Sequence, residues 1–363
     1  MARVAAGGMD DAVAAALTAV DRLLGRLAWA GLERASADSR AELTAVAQTA
    51  HAAGLIRLER EIAALVTEIE RYAERDPLSN AATTARALHR VWALHRRSRT
   101  AVDAGVAPGD DVALFGEARR TYREVVGVHE VTVLAAWGWV TDSGFVGVTV
   151  RLVGAGGQER EVSTARPSEW FGKDPAALLS AGSAEGPAIG ELLHGSFSLA
   201  NVKASADGRL SLHRALQVAP AAWPGAVAFA PWRAGDWAAV LDRISASEDV
   251  RGEVWVSPAA WGTVEVDERS GVARWVLRDG TGAAMTAIVG VRPENNRWID
   301  NLQALVALPI ERRPSGFFGR AWVGAGGLCF EPWTALWERE IGVRRQRVHE
   351  LHLSLESVAR VAW

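Results

Sequence analysis

The sequence predicts an α+β protein of several domains, in which an N-terminal α-helical bundle is followed by antiparallel β modules. Two observations lead to this prediction. Apolar residues recur at helical spacing through the first third of the chain, and near Gly127 the pattern changes to an alternation of every second residue. The chain has 363 residues, of which 49% are hydrophobic and 23% charged. It is therefore long and apolar enough for two or three domains with their own cores.

The first third of the chain contains two apolar stripes of the kind that bury one face of a helix. The first stripe runs from Val13 to Leu27 and the second from Leu55 to Tyr72. We expect a third helix over residues 80–102 and a fourth over 111–125. Short loops between four helices favour an antiparallel bundle, which we assign to residues 1–127.

The next segment has the alternation of a half-buried strand. Its apolar positions, separated by small or polar residues, are Val146, Val148, Val150 and Leu152. Around it we expect strands at 130–140 and 158–164, a short helix at 174–179, and strands at 196–204 and 209–218. The order β-β-β-α-β-β is that of an OB-fold, a five-stranded Greek-key barrel, so we predict an OB-like barrel at residues 128–219.

A similar order of elements follows later in the chain. We expect strands at 261–267, 272–279 and 283–289, a short helix at 295–302, and strands at 303–310 and 319–330. The tripeptides Ala136-Trp137-Gly138 and Ala260-Trp261-Gly262 occupy similar places in the two sets. These features suggest the hypothesis of an internal duplication, with a second β-rich, OB-like domain at 251–330. Residues 220–250 are expected to form a Pro- and Trp-rich linker with a short helix, and 331–363 a C-terminal extension.

Composition narrows the classes of function. The net charge of −3 lacks the positive excess of a dedicated nucleic-acid-binding protein. Cys329 is the single cysteine, which excludes a disulfide within the chain and a structural zinc site built from several thiolates. Asp10 and Asp11 interrupt any signal-peptide core, and the longest uncharged stretch, 215–232, contains three prolines. We therefore expect a cytoplasmic protein without a membrane-spanning helix.

Two groups of residues are candidates for an interaction surface. Tryptophan is abundant, with 16 residues, and Trp137, Trp139 and Trp261 could stack on a ligand, although aromatic residues in strands more often fill a core. The third predicted helix carries Arg86, Arg90 and Arg97 on one face. This basic face could contact a phosphate or an acidic partner, and a solvated helix face is the alternative.

No residue of the sequence qualifies as a catalytic group, a cofactor ligand or a metal ligand. The sequence has no Gly-x-Ser-x-Gly elbow, Walker A loop or strand-associated Gly-x-Gly-x-x-Gly motif. In His349-Glu350-Leu351-His352 the second histidine comes one residue too early for the metalloprotease motif. We predict no cofactor and favour a protein that is not an enzyme, with an enzyme of an unrecognised class as an open alternative.

One segment of the chain resembles a known group of proteins. The stretch from Trp137 to Val150, together with the hairpin Ala206-Asp207-Gly208-Arg209-Leu210, is similar to uncharacterised bacterial proteins. These proteins accompany MoxR-type AAA+ ATPases, von Willebrand A-domain proteins and SWIM zinc-finger proteins. The resemblance implies an accessory protein whose partner is an AAA+ ATPase or a von Willebrand A-domain protein.

The sequence thus leads to two functional hypotheses besides the enzyme alternative. The first is a non-enzymatic adaptor or scaffold that acts through protein–protein contacts, accessory to an AAA+ ATPase system. The second is binding of single-stranded nucleic acid through the OB-like barrels, because such barrels present an aromatic-bearing strand face to oligonucleotides.

Overall fold

The structure of the chain is a computed structural model that describes residues 2–31, 37–75, 81–119, 121–141, 143–154, 156–181, 186–222, 226–246, 251–324, 326–341 and 344–360. The chain divides into two compact units, Met1–Thr121 and Tyr122–Trp363. The first unit is helical, and the second contains two mixed sheets in which antiparallel pairs predominate. This arrangement confirms the fold class that the sequence predicts.

The described residues of the helical unit form four longer helices and one short one. They are α1 (Ala2–Ala30), α2 (Ala37–Ala52), α3 (Ile56–Ala73), α4 (Ala81–Asp103) and α5 (Val112–Phe115). Both predicted stripes are buried in one core, from Val13 to Leu27 on α1 and from Leu58 to Ile69 on α3. None of the helices in the described ranges combines the length and the apolar character needed to cross a bilayer.

Two expectations for the helical unit are wrong. The helix predicted over 111–125 is only the four-residue α5, because Gly116 adopts φ +83 and ends it. A Cβ at residue 116 would lie 2.9 Å from the backbone nitrogen of Arg57, so glycine is required there. Helix α2 is absent from the prediction, because alanine fills much of its buried face and gives a weak apolar stripe.

The first sheet has eight strands and short helical turns. The strands are β1 (Arg123–Val125), β2 (His129–Val140), β3 (Phe145–Gly154), β4 (Glu159–Pro167), β5 (Ser196–Ala200), β6 (Val202–Ala204), β7 (Arg209–Leu210) and β8 (Gln217–Pro220). Helix α6 (Ser168–Phe171) and two 3₁₀ turns, Pro175–Leu178 and Ile189–Leu192, connect β4 to β5. The strand order is β1-β6-β7-β4-β3-β2-β5-β8.

The strand pairing makes this sheet OB-like, as predicted. Strand β4 pairs in parallel with β7, and the other pairs are antiparallel. Strands β5 and β6 follow one another across Asn201, which has φ +55, and they pair with β2 and β7 respectively. The sheet therefore curls back on itself as a Greek-key barrel. The alternating residues from Val146 to Leu152 lie in its core.

The second sheet repeats this connectivity. Its elements are α7 (Trp237–Ala246), β9 (Arg251–Val256), β10 (Ala260–Asp267), β11 (Val272–Arg278), β12 (Ala284–Gly290), α8 (Asn296–Ala307), β13 (Gly316–Gly324), β14 (Gly327–Ile341) and β15 (Arg344–His352). The order is β10-β11-β12-β14-β13-β9, with β15 paired to β14.

Three antiparallel strands, a helix and two further strands occur in both sheets. In each sheet the last strand of the set runs parallel to the third, as β7 does to β4 and β14 does to β12. The repeated connectivity supports the hypothesis of internal duplication. The sheets differ in the pairing of the fourth strand of the set, because β13 pairs with β9, whereas β5 pairs with β2. They also differ in their additional strands.

The strand expected at 303–310 is wrong, because helix α8 continues to Ala307. Its buried residues Trp298, Leu302 and Leu305 follow helical spacing and keep the segment helical. The strand expected at 319–330 is a hairpin of β13 and β14. Strand β14 crosses residue 330 and continues to Ile341, so part of the segment 331–363 belongs to the sheet. The segment 220–250 contributes Phe229, Trp232 and Trp237 to the core.

The two sheets pack against each other through a contact that we call the sheet interface, made by Trp137 and Arg151 of the first sheet and by Glu253 and Trp333 of the second. The indoles of Trp137 and Trp333 stack with centroids 4.1 Å apart and planes 20° apart. Arg151 Nη2 donates to Glu253 Oε1 at 2.6 Å. The sheets therefore form one body around a shared apolar core.

Removing the ring of Trp333 should destabilise the second unit. Trp333 is 1% exposed, and Trp333→Ala should lower the free energy of unfolding by about 3–5 kcal/mol because it deletes a buried aromatic side chain. Trp170→Ala is the matched control, since Trp170 is 74% exposed. Calorimetry should show a lower Tm for Trp333→Ala alone. Equal melting temperatures for the two variants would contradict the sheet interface.

Candidate functional site

The first barrel presents the outward side chains of β2, β3 and β4, which we call the outer face. Because the residues from Val146 to Leu152 that alternate along β3 point inward, Gly147, Thr149 and Arg151 point outward. The register places Trp139, Gly147 and Ala165 side by side in one row across the three strands. The strand faces of OB-folds bind oligonucleotides and oligosaccharides, so this surface is the first to consider.

The indole of Trp139 lies flat against the backbone of Gly147. A Cβ at residue 147 would lie 2.1 Å from Cζ2 of Trp139, so the ring occupies the space that any other side chain would need. Its Nε1 donates to Thr149 Oγ1 at 3.0 Å, and Thr149 Oγ1 lies 3.0 Å from Ser163 Oγ. Trp139 is half-buried. The ring is thus held by packing on one side and by a hydrogen bond at its edge.

Two further aromatic side chains belong to the same end of the first sheet as Trp139, and we call these three rings the aromatic end of the outer face. Phe145 is 44% exposed and Trp170 is 74% exposed. Phe145 pairs with Pro167, directly before the helix that carries Trp170. The helix is tied to the β2–β3 loop because Ser168 N donates to Gly144 O at 2.8 Å. Exposed aromatic rings grouped in this way are typical of contact surfaces.

The other end of the outer face is covered and its charges are paired. Arg151 lies within ion-pair distance of Glu253, Glu161 and Glu159, and Glu161 also pairs with Arg209. Burial raises the pKa of Glu253, against the opposing effect of Arg151. The second sheet therefore occupies this part of the face, whereas the exposed side chains of Phe145 and Trp170 leave the aromatic end open to a ligand.

Two cations near the aromatic end differ from the paired arginines. Arg166 pairs with Val146 and therefore starts on the inward side of β4, where its Nη1 donates to Ala165 O at 2.8 Å. Lys173 is exposed two residues beyond α6. Within the described ranges, neither has a carboxylate at ion-pair distance. The charge of Lys173 is therefore available to an anionic ligand, unlike the charge of Arg151.

A second polar cluster connects the first barrel to the C-terminal strand. His194 Nδ1 lies 3.2 Å from Glu350 Oε1, and His194 Nε2 lies 2.7 Å from Glu356 Oε1. Burial opposes a charge on this ring, but the hydrogen bonds to the two carboxylates outweigh it and raise the pKa of His194 to about 10. Burial would likewise raise the pKa of Glu356, and the hydrogen bond from His194 lowers it instead. His194 is therefore protonated and bridges the two carboxylates. We call His194, Glu350 and Glu356 together the clasp.

His352 stacks on His194 with centroids 4.9 Å apart but is neutral. Its Nε2 donates to Leu193 O at 2.6 Å, while its Nδ1 accepts from Ala136 N at 3.2 Å. Complete burial lowers the pKa of His352. One ligand atom each from His194, His352 and Glu356 lies within 4.8 Å of the others. The stacked rings and the fully used ring nitrogens nevertheless fit hydrogen bonding better than metal ligation.

The sequence-derived candidates fall in different places. Trp137 is in the sheet interface and Trp139 in the aromatic end, whereas Trp261 packs against Trp275 and Phe317 of the second sheet. On α4, Arg90 donates to Glu61 Oε2 at 3.0 Å. Arg86 and Arg97 are half-buried on the same helix.

Sequence reasoning missed the partners that complete both clusters. Ser163 lies on a neighbouring strand, and His194 is 156 residues from Glu350. One signal in the sequence could have indicated the position of the Trp139 ring. Gly147 lies opposite Trp139 in a predicted hairpin, and a glycine within a strand often marks a close approach to the backbone.

The fold and this surface define a protein with two joined OB-like sheets and an exposed aromatic strand face. Comparison with known proteins adds little. No protein-family model matches the chain, and no curated protein matches it. A replication protein A heterotrimer bound to single-stranded DNA is similar at 9% identity and a TM-score of 0.30, over 57% of this chain and 49% of that chain. The chain thus spans about half of that chain's length. A TM-score this low supports no inference from the ligand of that protein to a ligand of this chain.

The clasp predicts a loss of stability in alkaline solution. The folded-state pKa of His194, about 10, exceeds its ordinary value of 6.5. The contribution is therefore complete below pH 6.5 and is lost as the pH rises through about 10. Urea unfolding between pH 6 and pH 10 should show stability falling in the wild type more steeply than in His194→Gln. Parallel pH profiles for the two proteins would rule out the charged clasp.

Proposed function

We propose that the protein binds single-stranded nucleic acid at the aromatic end of the outer face. The observation that carries the proposal is the indole of Trp139, held flat on Gly147 and hydrogen-bonded at its edge. Stacking of a base on such a ring contributes about 1–3 kcal/mol without requiring a particular sequence. Because the ring is already fixed, little side-chain freedom is lost when a base stacks on it.

Neighbouring groups supply the other parts of a single-strand site. Phe145 and Trp170 offer further exposed rings for adjacent bases. Lys173 offers positive charge for a phosphate. Neutralising one phosphate of a single strand gives a slope of about −0.7 in the logarithm of affinity against the logarithm of salt concentration. The proposed binding is therefore weakly but measurably dependent on salt.

The substitution Gly147→Ala should remove the stacking surface that the indole of Trp139 provides. The new methyl group needs the space of the Trp139 ring, so the ring must leave its position. Affinity for a fluorescein-labelled oligothymidine of about 12 nucleotides, measured by anisotropy, should fall about tenfold. Gly262→Ala is the matched control, because its Cβ would meet no atom closer than 3.6 Å.

Trp139→Ala should show the same loss, which separates removal of the ring from any strain at residue 147. Circular dichroism should show that each variant keeps its sheets. Equal affinity of Gly147→Ala, Trp139→Ala and the wild type would contradict the proposal. Binding of a neutral oligosaccharide in place of the oligonucleotide would contradict it as well.

For the helical unit we propose a separate role in protein–protein contact, in keeping with an adaptor. Trp29 at the end of α1 is 94% exposed, and Trp92 on α4 is also exposed, with its ring 5.5 Å from that of His89. Tryptophan is enriched among the residues that contribute most to protein interfaces. The resemblance of the chain to accessory proteins suggests a MoxR-type AAA+ ATPase or a von Willebrand A-domain protein as the partner.

Interferometry with purified candidate partners tests this role. The substitution Trp29→Ala or Trp92→Ala should weaken binding about tenfold or more if the ring is central to the interface. Trp170→Ala, on the second unit, should leave it unchanged. Undiminished binding after both helical-unit substitutions would place the contact elsewhere, and failure to bind either partner class would remove the adaptor role.

A further inference from the structure

We infer that Ser163 donates a hydrogen bond to the edge of the base stacked on Trp139, and that this bond favours thymine or uracil. The inference rests on the proposed binding of single strands at the aromatic end. It concerns a short chain of hydrogen bonds from Trp139 through Thr149 to Ser163.

The donor and the acceptor of each hydrogen bond follow from the chemistry of the three side chains. The indole nitrogen of Trp139 can only donate, so Thr149 Oγ1 accepts from it at 3.0 Å. Thr149 is 5% exposed, and among the described residues its hydroxyl has one acceptor at hydrogen-bond distance, Ser163 Oγ at 3.0 Å. A buried hydroxyl needs an acceptor for its proton, so Thr149 donates to Ser163.

The hydroxyl proton of Ser163 is consequently left to point away from Thr149. Ser163 is half-buried and lies on β4 opposite Thr149. Because the nitrogen edge of the Trp139 ring points at Thr149, Ser163 lies just beyond that edge. A base stacked on the indole would therefore bring its own edge beside a hydroxyl donor that is oriented by the protein.

A donor at this position discriminates between the bases. Thymine and uracil carry two ring carbonyls and no exocyclic amino group, so either orientation of the stacked ring presents an acceptor. Adenine, cytosine and guanine each carry an amino group. Where that group faces Ser163 it can donate to the remaining lone pair of Oγ, but it offers no acceptor for the hydroxyl proton of Ser163. The site should therefore prefer oligothymidine or oligouridine over other single strands.

The test compares oligothymidine with an oligomer of the same length that carries 2,4-difluorotoluene, a thymine-shaped ring that accepts hydrogen bonds poorly. The wild type should bind the analogue about fivefold more weakly, which corresponds to one ordinary hydrogen bond. Ser163→Ala should bind both oligomers with equal affinity, close to that of the wild type for the analogue. Ser163→Thr, which keeps the hydroxyl, should restore the preference.

The outcomes separate this inference from the proposed function. If the wild type binds both oligomers equally and Gly147→Ala still weakens binding, the role of Ser163 is overturned while the binding face stands. If Ser163→Ala retains the fivefold difference, another group reads the base and the inference also fails. If the wild type binds no oligonucleotide, both proposals fall. Ser163→Ala should lower the Tm modestly, because the buried hydroxyl of Thr149 loses its acceptor. Circular dichroism at the temperature of the binding assay should show that the sheets are kept, which excludes loss of the fold as the cause.

Discussion

The contact between the two sheets decides which surfaces of the second unit can reach a ligand. It stacks Trp137 on Trp333 and pairs Arg151 with Glu253, and so covers the outer face around Trp137 and Arg151. A buried ion pair is weak support for stability, because desolvation offsets much of the attraction between the charges. The aromatic stack and the shared apolar core therefore hold the sheets together. The ion pair engages the guanidinium of Arg151, so its charge is not free to contact a phosphate.

The clasp around His194 acts on the same contact from another side. Glu350 and Glu356 come from the end of the chain, and the ring they hold follows the helical turn before β5. The neutral ring of His352 completes the arrangement by bonding Leu193 and Ala136 of the first barrel. One charged and one neutral histidine can stack here because the ring of His194 hydrogen-bonds to both carboxylates, whereas the ring of His352 bonds to backbone groups. The second sheet is thereby attached to the first through its C-terminal strand as well as through its core.

The predictable part of this structure is the part that rests on local periodicity. Alternation from Val146 to Leu152 fixes which side of β3 faces the core, and the order of strands then suffices for an OB-like barrel. Helix α8 shows the limit, since a buried helix end at Leu302 and Leu305 has the apolar content of a short strand. The candidate site depends on pairing between distant residues, which periodicity does not encode. The opposition of Trp139 and Gly147 and the meeting of His194 with Glu350 both arise from register and packing.

The acidic balance of the chain and a binding site for nucleic acid are compatible once charge is considered locally. The net charge of −3 is a sum over the whole sequence, whereas a phosphate at the aromatic end is influenced mainly by charges within a Debye length of about 8–10 Å. There Arg151 of the sheet interface is already neutralised, while Lys173 is not paired with a carboxylate within the described ranges. With so few cations, stacking has to supply most of the affinity. A ring held rigidly on a glycine is suited to that task, because it offers its surface without first being ordered.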